Sequence, residues 1–221
     1  MIAVVIPTYM ERETIPILVT RIRDQGIHVL VVDDNSSDGT AEMAAACGAE
    51  VMSRPAKLGL ASAYVQGLGR VLGQDYDPIV QMDGDLSHDP DDIPRLIEEL
   101  ERNDLVLGSR YVPGGGTRNW SLGRRALSRL GSGYARFWLD LPQRDLTGGF
   151  KCWRADMLRR IDLSSVTSEG YAFQVETTLR ASRQGARIVE VPIVFTERSA
   201  GRSKMSRAIA LEAALVIPGL R

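Results

Sequence analysis

Apolar runs and amphipathic stretches alternate along the first half of the chain. "IAVVI" (2–6) has the continuous apolar character of a buried strand and ends at Pro7; helical spacing follows over 13–24. "IHVLVV" (27–32) predicts a second strand, 40–47 a helix closed by Gly48, "EVMSR" (50–54) a short strand, and 58–72 a helix despite Gly67 and Gly69. "PIVQM" (78–82), a charged helix over 91–102 and "DLVLGS" (104–109) continue the pattern. Such alternation predicts parallel βαβ units: an α/β fold whose mostly parallel sheet carries helices on both faces. The second half differs. It holds "PGGG" (113–116), a long helix over 121–139, a loop "QRDLTGGF" (143–150), a helix over 172–184 and "ARIVEVPIVF" (186–195), which reads as a strand despite Pro192. With no repeat, low-complexity tract or linker, a single domain over 1–221 is expected, its halves 1–110 and 111–221 serving different ligands.

Three predicted strands end in polar clusters: Pro7–Glu11, Asp33–Asp38 and Asp83–Asp89. Ligands of parallel sheets bind outside the carboxyl ends of the strands, so these clusters are expected to share a site. In "QMDGDLSHDP" (81–90), oxygens from Asp83 and Asp85 at i and i+2 can converge on one hard cation, Mg²⁺ or Mn²⁺, which usually also binds substrate phosphates. The competing reading is a solvated loop before a helix started at Pro90. No Walker A pattern or clean G-x-G-x-x-G occurs, so a phosphate-bearing substrate would need a metal and cationic side chains. His88 has no second histidine at ligand spacing, which disfavours zinc. In "VVDDNSSDGT", Asp38 and Gly39 suit a turn, and Asp38 or Thr40 suits a helix cap. Adjacent Asp33 and Asp34 repel each other unless donors are supplied, which a nucleoside could do; site and turn readings both stand here.

Charge sharpens the second half. The net charge of −1, from 27 basic and 28 acidic residues, excludes a polybasic, nucleic-acid-coating protein. Cys47 and Cys152 form no C-x-x-C pattern and read as free thiols. The N-terminus lacks a signal-peptide pattern and no window is long enough to span a bilayer, so a cytoplasmic protein able to lie on a membrane is expected. No acid occurs between Asp104 and Asp140, yet Arg110, Arg118, Arg124, Arg125, Arg129 and Arg136 do. On the 121–139 helix, Arg125, Arg129 and Arg136 form a stripe beside an arc of Leu122, Ala126, Leu130, Tyr134 and Phe137. Arg124 and Ser128 form a second polar row. A solvated basic face and an interfacial face on anionic lipid are the two readings. The tail repeats the theme: Arg198, Arg202, Lys204 and Arg207 precede "AIALEAALVI", which suits a core helix, an interfacial helix or a docking site.

Taken in order, "IPTYMERETI", "VVDDNSSDGT", "KLGLASAY", "MDGDLSHDP", "GSRYVPGGG", "NWSLGRRALS", "RDLTGGF", "EGYAFQVE" and "FTERSAGRSKMS" resemble the polyprenyl (dolichol) phosphate mannosyltransferases, family 2 glycosyltransferases of GT-A, Rossmann-like fold. The resemblance covers nearly the whole chain. It implies transfer of mannose from GDP-mannose to a polyprenyl phosphate with inversion. A UDP-glucose enzyme, a non-catalytic nucleotide-binding membrane adaptor and a nucleotidyltransferase are the alternatives. By the resemblance, Pro7, Tyr9, Glu11, Val32 and Asp34 would hold the guanosine. Asp83 and Asp85 would hold Mg²⁺ or Mn²⁺, with Gly84 against the nucleotide and Ser87 at the position of a third ligand. Arg110, Arg124 and Ser128 would receive the lipid phosphate, and Arg198 and Lys204 would close over the diphosphate. Met10 and Gly84 depart from the family's usual Asn and Ala. The short form of the family implies peripheral contact with the cytoplasmic face of a membrane, or a membrane-anchoring partner.

Overall fold

The computed structural model describes residues 1–197 and 215–220. Its main sheet has seven strands: β1 (Ala3–Thr8), β2 (His28–Asp33), β3 (Glu50–Ser53), β4 (Ile79–Gln81), β5 (Leu105–Ser109), β7 (Lys151–Trp153) and β8 (Ile188–Pro192), in the order β3-β2-β1-β4-β7-β5-β8. β7 runs against both neighbours and the other strands share one direction. β6 (Gly116–Arg118) and β9 (Val194–Thr196) make a separate parallel pair. The expected α/β class with a mostly parallel sheet is what the chain adopts.

Strands β1, β2, β4, β5 and β7 are buried on both faces, as continuous apolar runs require. Val4 and Ile6 point to one face, with helices α1 (Ile15–Arg23), α2 (Thr40–Ala46) and α4 (Ile93–Leu100). Val5, Leu30 and Val32 point to the other, with α3 (Leu60–Leu72), α6 (Ala155–Arg160) and α7 (Gly170–Arg183). Gly67 explains itself here. A Cβ on it would lie 2.6 Å from Val5 Cγ1 and 2.7 Å from Val32 Cγ2, so glycine lets α3 sit down on β1 and β2. The long α5 (Leu122–Leu139) is capped by Ser121, whose Oγ accepts from the Arg124 amide at 3.3 Å. It buries Ser132, Ala135 and Leu139, and a small third core joins it to Leu146, Val175, Leu179 and Ile217.

Two features differ from the sequence expectation. The run 186–195 is not one strand: the chain leaves the main sheet at Ile193, whose amide still donates to Ser109 O at 3.0 Å, and then pairs with β6. Pro192, with no N–H to give, sits at that exit. The central β7 begins just after the loop expected at 143–150 and has no counterpart in the sequence expectation, because three residues carry no usable period. Its insertion places "RDLTGGF" directly before a strand between β4 and β5.

β7 also buries an ammonium. Lys151 Nζ donates to Gln174 O at 2.7 Å, Thr178 Oγ1 at 2.9 Å and Thr177 Oγ1 at 3.0 Å, tying the sheet to α7. Burial pushes the Lys151 pKa well below its ordinary value, opposed only in part by the charge of Asp145. The folded protein therefore binds this proton less tightly than the unfolded chain does. Stability should rise with pH between the lowered value and the ordinary lysine value near 10.4. Comparing urea midpoints of wild type and Lys151→Met across pH 7–10 checks the sign: the variant should lose the rising component. Identical slopes would mean that Lys151 is not perturbed.

Candidate active site

β2, β1 and β4 are neighbours, so the three polar clusters at their carboxyl ends do meet. The chain passes from β1 outward to β2 and β3, then returns to place β4 on the other side of β1. That reversal opens a crevice between β1 and β4. Pro7 is still within β1, and Tyr9 follows it with Lys57 Nζ 3.9 Å above its ring. The Glu11 amide donates to Thr40 Oγ1 at 3.0 Å. Val32 points into the α3 core and the residue has no exposure, so it backs the crevice rather than facing a ligand.

The paired acids of β2 are answered from within the protein. Asp33 accepts from Thr8 Oγ1 at 3.0 Å, Ser36 Oγ at 2.7 Å and the Ser36 amide at 2.8 Å. Asp34 accepts from the Gly59 amide at 2.9 Å and pairs with buried Arg54 at 2.6 Å. A nucleoside is thus not needed to explain why two acids stand together. Asp38 takes the turn role, accepting from the Thr40 amide at 3.1 Å and from its hydroxyl at 2.5 Å.

The Asp83–Asp85 loop leaves β4 at the crevice. Gly84 packs under β1, where a Cβ would be 3.1 Å from Thr8 Cγ2, and its carbonyl accepts from Thr14 Oγ1 at 2.8 Å. Leu86 adopts φ +60°, and Asp85 Oδ1 accepts from the Ser87 amide at 3.0 Å, which tightens the turn. Asp83 Oδ1 accepts from Tyr64 Oη at 3.2 Å and faces the backbone of Gly149, where a Cβ would come within 3.1 Å of it. Burial, then the charge of Asp83, holds the Tyr64 phenol protonated well above its usual range. His88 is sealed between Phe150 and Phe195 with ring centroids 5.1 Å away, and burial lowers its pKa, so it packs as a neutral ring. Ser87 Oγ is buried and has no hydrogen-bond partner among the described residues. Two carboxylates, an orphaned buried hydroxyl and a glycine cradle at Asp83 suit a divalent cation completed by a ligand's oxygens. Among the described residues no group of three or more His, Cys, Asp or Glu side chains could hold a metal alone, so any such cation must share its shell with a ligand.

From Asp83 a cavity of about 620 Å³ opens toward α5. Arg110, Arg124 and Ser128 all line it, with Thr147, Gly148 and Gly149. Farther out its walls are Leu127, Leu130, Tyr134, Phe137, Val175 and Ile217. The three residues assigned to an acceptor phosphate are thus brought together with the first acid of the Asp-x-Asp pair. Arg110 is clamped by Asp145, through Nε at 2.7 Å and Nη2 at 2.6 Å, and its Nη2 also reaches Thr147 Oγ1 at 3.0 Å. Burial alone would weaken this cation's hold on its proton; the charge and hydrogen bonds of Asp145 overcome that and raise its pKa. Arg124 pairs with Glu197 at 2.6 Å and lies 4.2 Å over the Trp120 ring. Ser128 Oγ accepts from Tyr111 Oη at 2.6 Å.

Asp145, Glu197, Trp120, Tyr111 and Gln174 were not anticipated. One signal did exist: cations in a stretch free of acids must find their carboxylates at a distance. Gln174 lines the cavity at 2% exposure, and neither side-chain amide atom has a partner among the described residues. The arginine stripe on α5 is not uniform. Arg125 turns back to donate to Thr117 O at 3.0 Å, Arg129 lies over Tyr111 at 5.5 Å, and Arg136 is exposed. The apolar arc is largely in solvent, with Leu122 and Phe137 at 81% and Leu130 at 69% exposure. Arg198 and Lys204 lie outside the described residues, as do Arg202 and Arg207.

Known proteins resemble this chain closely. The family model for glycosyl transferase family 2 matches residues 3–162. An undecaprenyl-phosphate mannosyltransferase of Micrococcus luteus is 48% identical over 216 residues, covering 95% of this chain and 89% of the relative. A polyprenol monophosphomannose synthase of Mycolicibacterium smegmatis is 45% identical, covering 92% of this chain and 80% of the relative. Among solved structures, glucosyl-3-phosphoglycerate synthase of Mycobacterium tuberculosis, in complex with Mn²⁺, uridine diphosphate and phosphoglyceric acid, superposes with a TM-score of 0.73 at 21% identity, over 98% of this chain and 76% of that one.

Proposed function

This chain belongs to glycosyl transferase family 2, and we propose that it moves mannose from GDP-mannose to a polyprenyl phosphate, releasing GDP. One observation carries the reading beyond the family. A single cavity runs from Asp83, past Arg110, Arg124 and Ser128, to an apolar mouth on α5. Its inner end suits a phosphate and its outer walls suit a hydrocarbon chain, the two chemistries of a lipid phosphate.

The crevice at Pro7, Tyr9, Glu11 and Asp34, backed by Val32, takes the nucleoside, and its diphosphate then meets Asp83, Gly84 and Asp85. Asp83, Asp85 and Ser87 would hold Mg²⁺ or Mn²⁺ together with that diphosphate; the ion supplies charge neutralisation for the leaving group. The acceptor is already an ionised monoester, so no strong general base is required. One of its phosphate oxygens attacks the anomeric carbon as the bond to the diphosphate breaks, and in-line geometry inverts that centre. Arg110 and Arg124 fix the nucleophile's orientation, and Arg198 and Lys204 are assigned to the leaving diphosphate. Contact with the membrane's cytoplasmic face is peripheral in this reading. No helix among the described residues is long and apolar enough to cross a bilayer.

A donor panel tests the proposal. Purified protein, undecaprenyl phosphate and Mg²⁺ or Mn²⁺ should yield radiolabelled lipid from GDP-mannose and at least about tenfold less from UDP-glucose. The reverse preference would assign a glucosyltransferase. Nucleotide binding with no lipid product from either donor would replace the enzyme with a non-catalytic module.

A further inference from the structure

Two of the three arginines lining the cavity, Arg110 and Arg124, already carry a carboxylate, and the two pairs differ; the third, Arg129, lies over the Tyr111 ring instead. Asp145 is fully buried, chelates Arg110 through two nitrogens and accepts the Arg110 amide at 2.9 Å as well. Displacing it would strand a charge inside the protein. Glu197 holds Arg124 through one oxygen at 2.6 Å, and its side chain is 38% exposed. Arg124 Nε has no partner among the described residues. The second pair is therefore the exchangeable one.

Glu197 is nonetheless firmly placed. Its amide donates to Arg118 O at 3.0 Å, and the preceding Thr196 amide donates to Ser87 O at 3.0 Å, on the Asp-x-Asp loop. Phe195 packs edge-on to Trp120 at 5.2 Å, the ring that supports Arg124. β9 thus presents the carboxylate from a fixed backbone to the arginine at the cavity's phosphate end.

Resting on the lipid-phosphate reading above, we propose that Glu197 is a specificity-determining residue: it holds the place of the acceptor phosphate on Arg124 and so rejects phosphodiesters. An anion entering this end meets two neutral pairs and the negative Asp83, with Arg129 the lining arginine that pairs with no carboxylate among the described residues. To reach Arg124 it must outcompete Glu197. A phosphate monoester carries about −1.5 to −2 charges near neutral pH and three terminal oxygens, enough to displace one carboxylate. A diester carries a single charge, no more than the carboxylate it would replace. Bilayer phospholipids are diesters and vastly outnumber any polyprenyl phosphate, so a bare Arg124 at the inner end of an apolar cavity would be occupied by bulk lipid. Discrimination comes from the repulsive element as much as from the attractive one.

The test uses one short isoprenoid in two forms, citronellyl phosphate and its methyl diester, as competitors of transfer to undecaprenyl phosphate in the full-length protein. Wild type should prefer the monoester by tenfold or more. Glu197→Gln and Glu197→Ala should each shrink that preference at least about fivefold, mainly by tightening the diester. Both variants should bind GDP as wild type does, and phosphatidylglycerol vesicles should inhibit them more than wild type. An unchanged monoester-to-diester ratio in both variants would overturn the proposal while leaving the lipid-phosphate reading intact. If neither ester competes in any of the three proteins while GDP still binds, both the proposal and that reading fall.

Discussion

Replacing Asp85 with alanine should lower mannosyl transfer by at least about a hundredfold. The carboxylate is 2% exposed at the mouth of the crevice, and it has two functions there. Its Oδ1 closes the tight turn by accepting from the Ser87 amide at 3.0 Å, and its charge belongs to the set assigned to the divalent cation. Losing several kcal/mol of leaving-group stabilisation corresponds to two or more powers of ten, since each 1.36 kcal/mol is a factor of ten. Asp85→Asn separates the two functions, because the amide oxygen can still accept from Ser87 while the charge is gone. Both variants should lose turnover and Mn²⁺ affinity together, measured by turnover and by Mn²⁺ titration followed by electron paramagnetic resonance. If Asp85→Asn kept near-normal turnover with metal still required, Asp85 would be a turn residue and nothing more.

The first half of the chain was legible because its signals are local. Apolar runs, Gly48 and the acid clusters at the strand ends each announce themselves within ten residues, and parallel topology then forces 7–11, 33–38 and 83–89 into one crevice. The acceptor half depended on long-range pairs. Arg110 meets Asp145 and Arg124 meets Glu197 across 35 and 73 residues, and no periodicity encodes that. The central β7 was missed because a three-residue antiparallel strand is held by its neighbours β4 and β5, not by its own pattern. The acids of β2 teach a related point. For Asp33 and Asp34 the sequence left site and turn readings both open, and Thr8, Ser36, Arg54 and Gly59 satisfy them from sites up to 25 residues away. The two readings of α5 likewise turn on facts beyond its helical wheel, such as Arg125 bending back to Thr117 O.

Asp145→Asn should destabilise the protein by about 3–5 kcal/mol, the usual consequence of removing one partner from a buried ion pair. For a chain of this size that corresponds to a drop of roughly 6–20 °C in Tm. The reason is the surroundings of Arg110. Its guanidinium is 5% exposed and sits 5.2–5.5 Å from the rings of Tyr111, Trp120 and Phe195, which offer no oxygen in place of a lost carboxylate. Asn would offer one oxygen to a guanidinium that now meets two, and would turn an amide donor against the other nitrogen. The loss should also spread along "RDLTGGF", because the Asp145 amide is itself fixed by Glu190 Oε1 at 2.9 Å and Gly149 lies against Asp83. Arg110→Met in the same chain is the informative partner. With both charges gone, methionine can pack among the three aromatic rings, and the double variant should recover most of the lost stability in a thermal melt. Transfer should not recover with it, since the phosphate end would then keep Arg124 but lack Arg110. If the double variant regained both stability and activity, Arg110 would be a structural ion and Arg124 alone would hold the acceptor. If Asp145→Asn melted within about 2 °C of wild type, the clamp would be too weak to fix the cavity, and Arg110 would instead be free to follow the ligand.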